Sequence, residues 1–149
     1  DLSEDALAEL DFVVGSVHSY MNLESGEMTD RLLRALESPS LKAFGHPTGR
    51  VLLHRDAYQY DFDVVAKATA GRGVWMEINS SPERLDLHAS LIRRAHSLGC
   101  RFVVSTDAHH PKQLANMRFG VRMARRGWLT AADVVNTMPL DAMLAAIGK

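Results

Sequence analysis

Three imidazoles and two carboxylates of this sequence stand where short apolar runs end. His18 follows FVVGSV (12–17), and His46 follows LKAFG (41–45). Glu77 and Asn79 lie near the end of VWMEIN (74–79), and Asp107 and His109 follow RFVVS (101–105). Imidazoles with a carboxylate suit a divalent transition ion such as Zn²⁺, Mn²⁺ or Fe²⁺, whereas an oxygen-only set points to Mg²⁺ or Ca²⁺. An ion so held lowers the pKa of bound water toward about 7 and polarises a phosphoryl oxygen. The competing chemistry is a nucleophilic triad. Ser16, Ser19 and Ser105 are available for it, but none lies in a Gly-x-Ser-x-Gly elbow.

The apolar runs are short, continuous and rich in β-branched residues, which predicts strands at 12–17, 41–45, 74–78 and 101–105. Between them the pattern predicts helices at 28–37, with Met28, Leu32, Leu33 and Leu36 on one face, at 61–72 and at 87–98. Helices are expected in the tail at 112–126, 130–136 and 139–147. Strands alternating with helices make an α/β fold with a mostly parallel sheet, either a half barrel or a small doubly wound sheet. In both, all strand C-termini lie on one edge, so the candidate residues share one rim. Glu77 and Asn79, two apart, share a side of the extended chain, as do Asp107 and His109.

The remaining composition narrows the field. Apolar residues are 46%, charged residues 23% and the net charge is −1, the balance of a globular protein and not of a polycation. A single cysteine, Cys100, excludes an intrachain disulfide framework and is expected in the core. The acidic start DLSEDALAEL does not read as a signal peptide, no apolar run reaches the ~18 residues of a membrane span, and reducing cytosol is the expected compartment. His54, His88, His96 and His110 fall off the strand ends and are expected at the surface or in packing. Arg50, in GHPTGR (45–50), is expected either on a phosphate or paired with a nearby acid. Acids concentrate in residues 1–37, whereas 110–127 holds Lys112, Arg118, Arg122, Arg125 and Arg126 and no acid. Arg118, Arg122 and Arg125 form one helical stripe beside an apolar stripe of Met117, Val121 and Ala124. The basic stripe suits a phosphate backbone, a solvated face or pairing with the acidic N-terminal third.

Taken together, VVGSVHS (13–19), GHPTGR (45–50), EINSSPERLDL (77–87), STDAHH (105–110), ARRGWL (124–129) and DVVNT (133–137) resemble the PHP (polymerase and histidinol phosphatase) domain of bacterial family X DNA polymerases. The resemblance runs from about residue 10 to 147. It implies a distorted (β/α)7 barrel with a cluster of divalent metal ions, Mn²⁺ or Zn²⁺ with Fe²⁺ as a further candidate, at the strand C-termini. His18, His46, Asp107 and His109 match its ligand positions. Glu77 and Asn79 are expected to hold those ligands, or the chain after their strand, by hydrogen bonds without touching an ion. The family's His-x-His motif and the ligands that follow it have no counterpart here, so residues 1–149 are expected to be roughly the C-terminal half of the barrel.

The implied activity is a metal-dependent phosphoesterase of the 3′–5′ exonuclease type in DNA repair, in a bacterial cytoplasm and near the nucleoid. The implied partners are DNA, the upstream half of the barrel and a polymerase core, with no membrane. DNA is expected to meet Arg50, Arg118, Arg122 and Arg125. The alternatives are a PHP module with only a structural or DNA-orienting role, and a small-molecule phosphatase of the histidinol phosphatase type. The half barrel is expected to leave both sheet edges open, and the isolated chain is expected to be inactive or nearly so.

Overall fold

The computed structural model describes residues 2–148. Four strands, β1 (Val13–Gly15), β2 (Leu41–Phe44), β3 (Trp75–Asn79) and β4 (Phe102–Ser105), form one sheet in the order β1-β2-β3-β4. Every pairing is parallel. A short helix, α1 (Glu4–Ala8), precedes β1, and three crossover helices join the strands: α2 (Ser25–Ala35), α3 (Phe62–Gly71) and α4 (Ala89–Ser97). After β4 come a 3-10 helix (Pro111–Asn116), α5 (Met117–Arg126), two 3-10 turns (Ala131–Asp133 and Val135–Thr137) and α6 (Leu140–Ile147). This is a mixed α/β structure with a four-stranded parallel sheet and six α-helices among the described residues, consistent with a partial α/β barrel.

The period-two alternation of the strands decides the layering. Phe44, Met76, Ile78, Phe102 and Val104 enter the larger apolar cluster, together with Met28 and Leu32 of α2, Val65 of α3 and Ile92 of α4. Ala43, Trp75 and Val103 face the other way and are covered by Val135 and Ile147 of the tail. Glu77 and Asn79 share the Trp75 face. The residues at the rim therefore project from the face that the tail covers lower down.

The expected elements occur in the expected order, with differences that have physical causes. The first strand is only Val13–Gly15, because β1 is an edge strand and Val14 is 49% exposed. The tail segment expected as a helix over 130–136 is instead two 3-10 turns. There Thr130 and Asp133 satisfy each other in a capping box, which closes a turn after three residues.

The packing face of α5 also differs from the expected stripe. Met117 and Val121 are exposed, and Gly120, Met123 and Ala124 are buried. Gly120 sits where the helix backbone meets the sheet. A Cβ there would strike the Ser80 hydroxyl and lie 2.6 Å from Val104 Cγ1.

The two sheet edges are unlike, against the expectation that both are open. The β4 edge is closed by Asn136, whose amide accepts from the Val104 N–H at 2.7 Å and donates to the Val104 carbonyl at 3.0 Å. A side-chain amide here takes the place of a neighbouring strand. At the β1 edge a groove of about 820 Å³ runs between α1, β1 and α2, reaching His18 at one end and Pro39 at the other.

Candidate metal centre at the strand exits

His46 is the best-held of the candidates. It follows β2, is 4% exposed and has its backbone in the left-handed region, with φ 28°. Such a conformation costs a non-glycine residue about 1 kcal/mol or more and persists only where the surroundings impose it. The surroundings here are two buried carboxylates. Glu77 accepts from the His46 N–H, and Asp86 Oδ2 accepts from the N–H groups of Thr48 at 2.9 Å and Gly49 at 3.1 Å. Burial, with Arg84 and His18 nearby, lowers the His46 pKa from 6.5 to about 4. The ring is thus neutral at physiological pH, the form that has a lone pair to offer an ion.

His18 completes a pair. It follows β1, is exposed, and its Nε2 lies 3.2 Å from His46 Nε2, with ring centroids 5.1 Å apart. Two nitrogens bound at ~2.1 Å to one tetrahedral ion stand roughly 3.4 Å apart, so the spacing is close to that of shared ligation. Without an ion, one ring donates its N–H to the other. His46 Nδ1 is buried with no hydrogen-bond partner among the described residues.

Asp107 also has a left-handed backbone, φ 50°, and is joined to the His46 side through Asn79. Asn79 Nδ2 donates to Asp107 Oδ2 at 3.2 Å and to Glu77 Oε2 at 3.3 Å. Glu77 further accepts from the Ser105 hydroxyl, and burial raises its pKa above the ordinary carboxylate value. Its carboxylate is occupied behind the rim by three donors, and Asn79 is fully buried. Arg84 Nε stands 3.4 Å from Asp107 Oδ2.

His109 is exposed, and its Nδ1 lies 2.8 Å from the Asp107 carbonyl. The structure therefore brings His18 and His46 together, links Asp107 through Asn79 and Glu77 to the His46 backbone, and sets His109 against the Asp107 carbonyl. Among the described residues no three His, Cys, Asp or Glu side chains are gathered so as to hold an ion. The donor set, two facing imidazoles with a carboxylate nearby, suits a divalent transition ion.

The other nominated residues are placed as follows. Arg50 is turned onto backbone: its Nε donates to the Arg84 carbonyl at 2.9 Å and its Nη2 to that of Leu85, while its charge acts on the Asp86 carboxylate. Arg118, Arg122 and Arg125 are exposed on α5, with Arg118 stacked 4.7 Å from the Phe119 ring centroid. His54 is exposed, His88 Nδ1 meets Ser90, His96 pairs with Asp133 at 3.0 Å, and His110 caps the 3-10 helix after β4. Cys100 is buried, and burial pushes its thiol pKa up to about 11. No helix among the described residues is long and apolar enough to cross a membrane.

Sequence reasoning missed Arg84 and Asp86 as parts of the site, and it weighed Ser105 as a nucleophile and not as a donor to Glu77. All three follow or end a strand on the rim, and Arg84 and Asp86 lie within EINSSPERLDL. The signal was their place in the chain, not their type.

The chain is 35% identical over its 149 residues to the DNA polymerase/3′-5′ exonuclease PolX of Bacillus subtilis (strain 168), of which it spans 26%. It is 26% identical over 146 residues, 92% of the chain, to a probable phosphatase of Thermoanaerobacter sp. (strain X514), of which it spans 57%. It is 30% identical over 124 residues, 78% of the chain, to a probable phosphatase of Photobacterium profundum, of which it spans 48%. The chain thus spans between about a quarter and somewhat over half of the curated relatives it matches. No family model matches it.

Proposed function

We propose that this chain is the C-terminal part of a PHP domain in a metal-dependent phosphoesterase that removes nucleotides from DNA 3′ ends, a reading supported by its 35% identity over 149 residues to the Bacillus subtilis polymerase/exonuclease. The observation that carries this reading is the His18–His46 pair, two imidazole nitrogens 3.2 Å apart at adjacent strand exits. The match of all 149 residues to 26% of a polymerase with 3′–5′ exonuclease in its name turns the reading toward DNA, where the phosphatase matches alone would leave the substrate open.

In this reading His18, His46, Asp107 and His109 hold divalent ions, Mn²⁺ or Zn²⁺ with Fe²⁺ as a further candidate, which supply an activated water and Lewis-acid stabilisation of the phosphoryl group. The chain's own residues set the stage for that chemistry. Glu77 fixes the turn that carries His46, Asn79 orients Asp107, and Asp86 holds the backbone of Thr48 and Gly49. The exposed arginines of α5 attract the DNA backbone. The sheet is part of a (β/α)7 barrel whose upstream strands add at the β1 edge, where the groove lies and the ladder has no neighbour. A polymerase core and that upstream half are the partners within the parent protein, which acts at the bacterial chromosome.

The test uses the full-length protein with Mn²⁺, offered 3′-labelled DNA and, separately, histidinol phosphate. Release of nucleotides that His46→Ala abolishes is the expected result. Release of phosphate from histidinol phosphate without attack on DNA overturns the DNA reading, and no metal-dependent hydrolysis of either overturns the enzymatic one. The 149-residue chain alone is expected to be inactive or nearly so, since only one of its matched ligands, Asp107, is a carboxylate.

A further inference from the structure

The segment ARRGWL (124–129), at the close of α5, takes no part in the site described above. Its Trp128 is 76% exposed and stands in the left-handed region, φ 67°, directly after the helix and its cap. That position customarily falls to glycine, because a Cβ there crowds the backbone. A large apolar ring is thus kept in solvent on a backbone that disfavours it, and strain of this kind gathers where ligands are held. The ring is also fixed in place. Gly127 lets the end of the helix close on α4, since a Cβ there would strike Ile92. Arg93 of α4 then reaches across: its Nη1 donates to the Arg126 carbonyl at 2.8 Å, and its guanidinium stands 4.7 Å from the indole centroid. A cation backs the indole, and most of the ring remains open to solvent.

The helix connects this ring to the rim. It follows the strand exit that carries Asp107 and His109, its Gly120 lies against Ser80 just beyond the end of β3, and its far end lies against α4. Along it Arg118, Arg122, Arg125 and Arg126 are exposed, and among the described residues none of the four sits in a salt bridge. Unpaired cations leading to an open aromatic ring are the combination that holds a single nucleic-acid strand: the cations track phosphates while the ring stacks on a base. The charge selects a polyanion, and the open ring selects one that carries flat aromatic groups. We propose that Trp128 stacks on a base of the DNA strand whose 3′ end lies at the rim, with the α5 arginines on the phosphates between. The proposal rests on the phosphoesterase reading above and extends its substrate contact beyond the strand exits. From Gly120 to Trp128 the helix runs ~12 Å at about 1.5 Å per residue. Phosphates along one strand are ~3.4 Å apart, so the stacked base is at least about four nucleotides from the end.

The test compares Mn²⁺-dependent nucleotide release by the full-length protein from single DNA strands of about 12 nucleotides and from dinucleotides, which are too short to reach Trp128. Wild type, Trp128→Phe and Trp128→Gly are compared. Glycine suits the left-handed position, so Trp128→Gly is expected to keep the fold, which thermal melts check, and Trp128→Phe carries the test if it does not. The ratio of kcat/KM on the long strand to that on the dinucleotide is expected to fall about 5–150-fold in Trp128→Gly, the worth of one stacked base, through KM and not kcat. Trp128→Phe, which keeps a smaller ring, is expected to fall between. An unchanged ratio in a folded variant overturns the proposal. So does an equal loss on both substrates, which would make Trp128 a support of the fold alone. If the wild type releases nucleotides from neither strand, photo-cross-linking decides, with 5-iodouracil placed at the 3′ end of the long strand or about five nucleotides inward. A cross-link to Trp128 from the inner position alone upholds the surface while removing the exonuclease reading, and no cross-link to Trp128 overturns the proposal.

Discussion

The middle of the rim and its flanks are built on different terms. In the middle, His46 is buried, its backbone N–H is taken by Glu77, and the turn beyond it is held by Asp86. On the flanks, His18 and His109 are exposed. The cause lies in the sheet. β3 has a strand on each side and every one of its residues is buried, so polar groups at its end must find partners within the protein. β1 is an edge strand, and the chain after β4 runs out to solvent. The fold therefore fixes one imidazole by its own hydrogen bonds and burial, whereas the flanking imidazoles lie open to solvent. The same carboxylate can then stabilise the fold and serve the chemistry without touching an ion.

The largest expected effect breaks the middle. Glu77 accepts from the His46 N–H, the Ser105 hydroxyl and the Asn79 amide, and is 5% exposed. Glu77→Ala leaves these donors without their acceptor, at ~1–3 kcal/mol for each that finds no replacement, so a loss of about 3–5 kcal/mol is expected by chemical denaturation. Glu77→Gln keeps the shape but loses acceptor capacity and is expected to cost about half as much. If Glu77→Ala costs no more than His18→Ala, the rim has no preorganised middle.

Asp86 gives the next effect, and it depends on pH. Burial raises its pKa from 3.8 to about 6, against the opposing pull of the Thr48 N–H and hydroxyl and of the Arg50 charge. Between these values the folded state keeps a proton that the unfolded chain has lost, so stability falls as pH rises through this window. The penalty is complete above about pH 6, is relieved as pH falls through 6, and is gone below 3.8. A shift of this size corresponds to roughly 3 kcal/mol. Asp86→Asn removes the titration. The stability difference between wild type and Asp86→Asn is therefore expected to change by about that amount between pH 7 and pH 4, in favour of wild type at the lower pH. A difference independent of pH would mean that Asp86 is neutral or solvated.

Much of this is legible in the sequence, because apolar runs and helix periods are set locally while strand exits follow from topology. His18, His46 and Asp107 emerge that way as rim residues, and Glu77 and Asn79, nominated as hydrogen-bonding partners, do bond to the His46 backbone and to Asp107. Asp86 and Arg84 do not emerge, since a polar residue in a loop reads as solvated until another loop is folded over it. Asn136 falls at the end of the helix expected over 130–136, yet it seals the β4 edge, because a strand's missing neighbour is a tertiary fact. Hydropathy puts Met117 and Val121 of α5 inward; the helix turns the other way because Gly120 allows its backbone to approach β3 and β4. The parity of extended chain sets Asp107 and His109 on one side, whereas Asp107 takes a left-handed backbone, so their relation is set by the turn and not by strand parity.

Gly120 sharpens the comparison from beneath. Ser80, which a Cβ at position 120 would strike, directly follows Asn79. Gly120→Ala is expected to cost about 1–3 kcal/mol, as overpacking of a tight contact does. It should disturb the middle of the rim before the flanks. Hydrogen exchange is expected to show lost protection at the N–H groups of Ser80 and Ser81, which are bonded to the Ser105 carbonyl and the Asn79 side chain, while the segment around His18 is unchanged. Equal loss in both would show that α5 supports the sheet as a whole and not that rim.

The smallest effect on stability, and the most telling one, belongs to His109. Its ring is exposed, and its hydrogen bond to the Asp107 carbonyl is local, so removing it strands no buried group. His109→Ala is expected to change unfolding stability by no more than about 0.5 kcal/mol without metal. An ion that binds the folded state alone raises the melting temperature by mass action, in proportion to how tightly it is held. If His109 closes onto an ion already gripped by His18 and His46, His109→Ala should keep the metal-free melting temperature and lose much of the rise on adding Mn²⁺. His46→Ala, by contrast, should lower the metal-free melting temperature as well, because the imidazole is packed into the wall that Glu77 supports. An equal Mn²⁺-induced rise in wild type and His109→Ala would exclude His109 from the ligand set, leaving the two facing imidazoles and Asp107 as the chain's whole contribution.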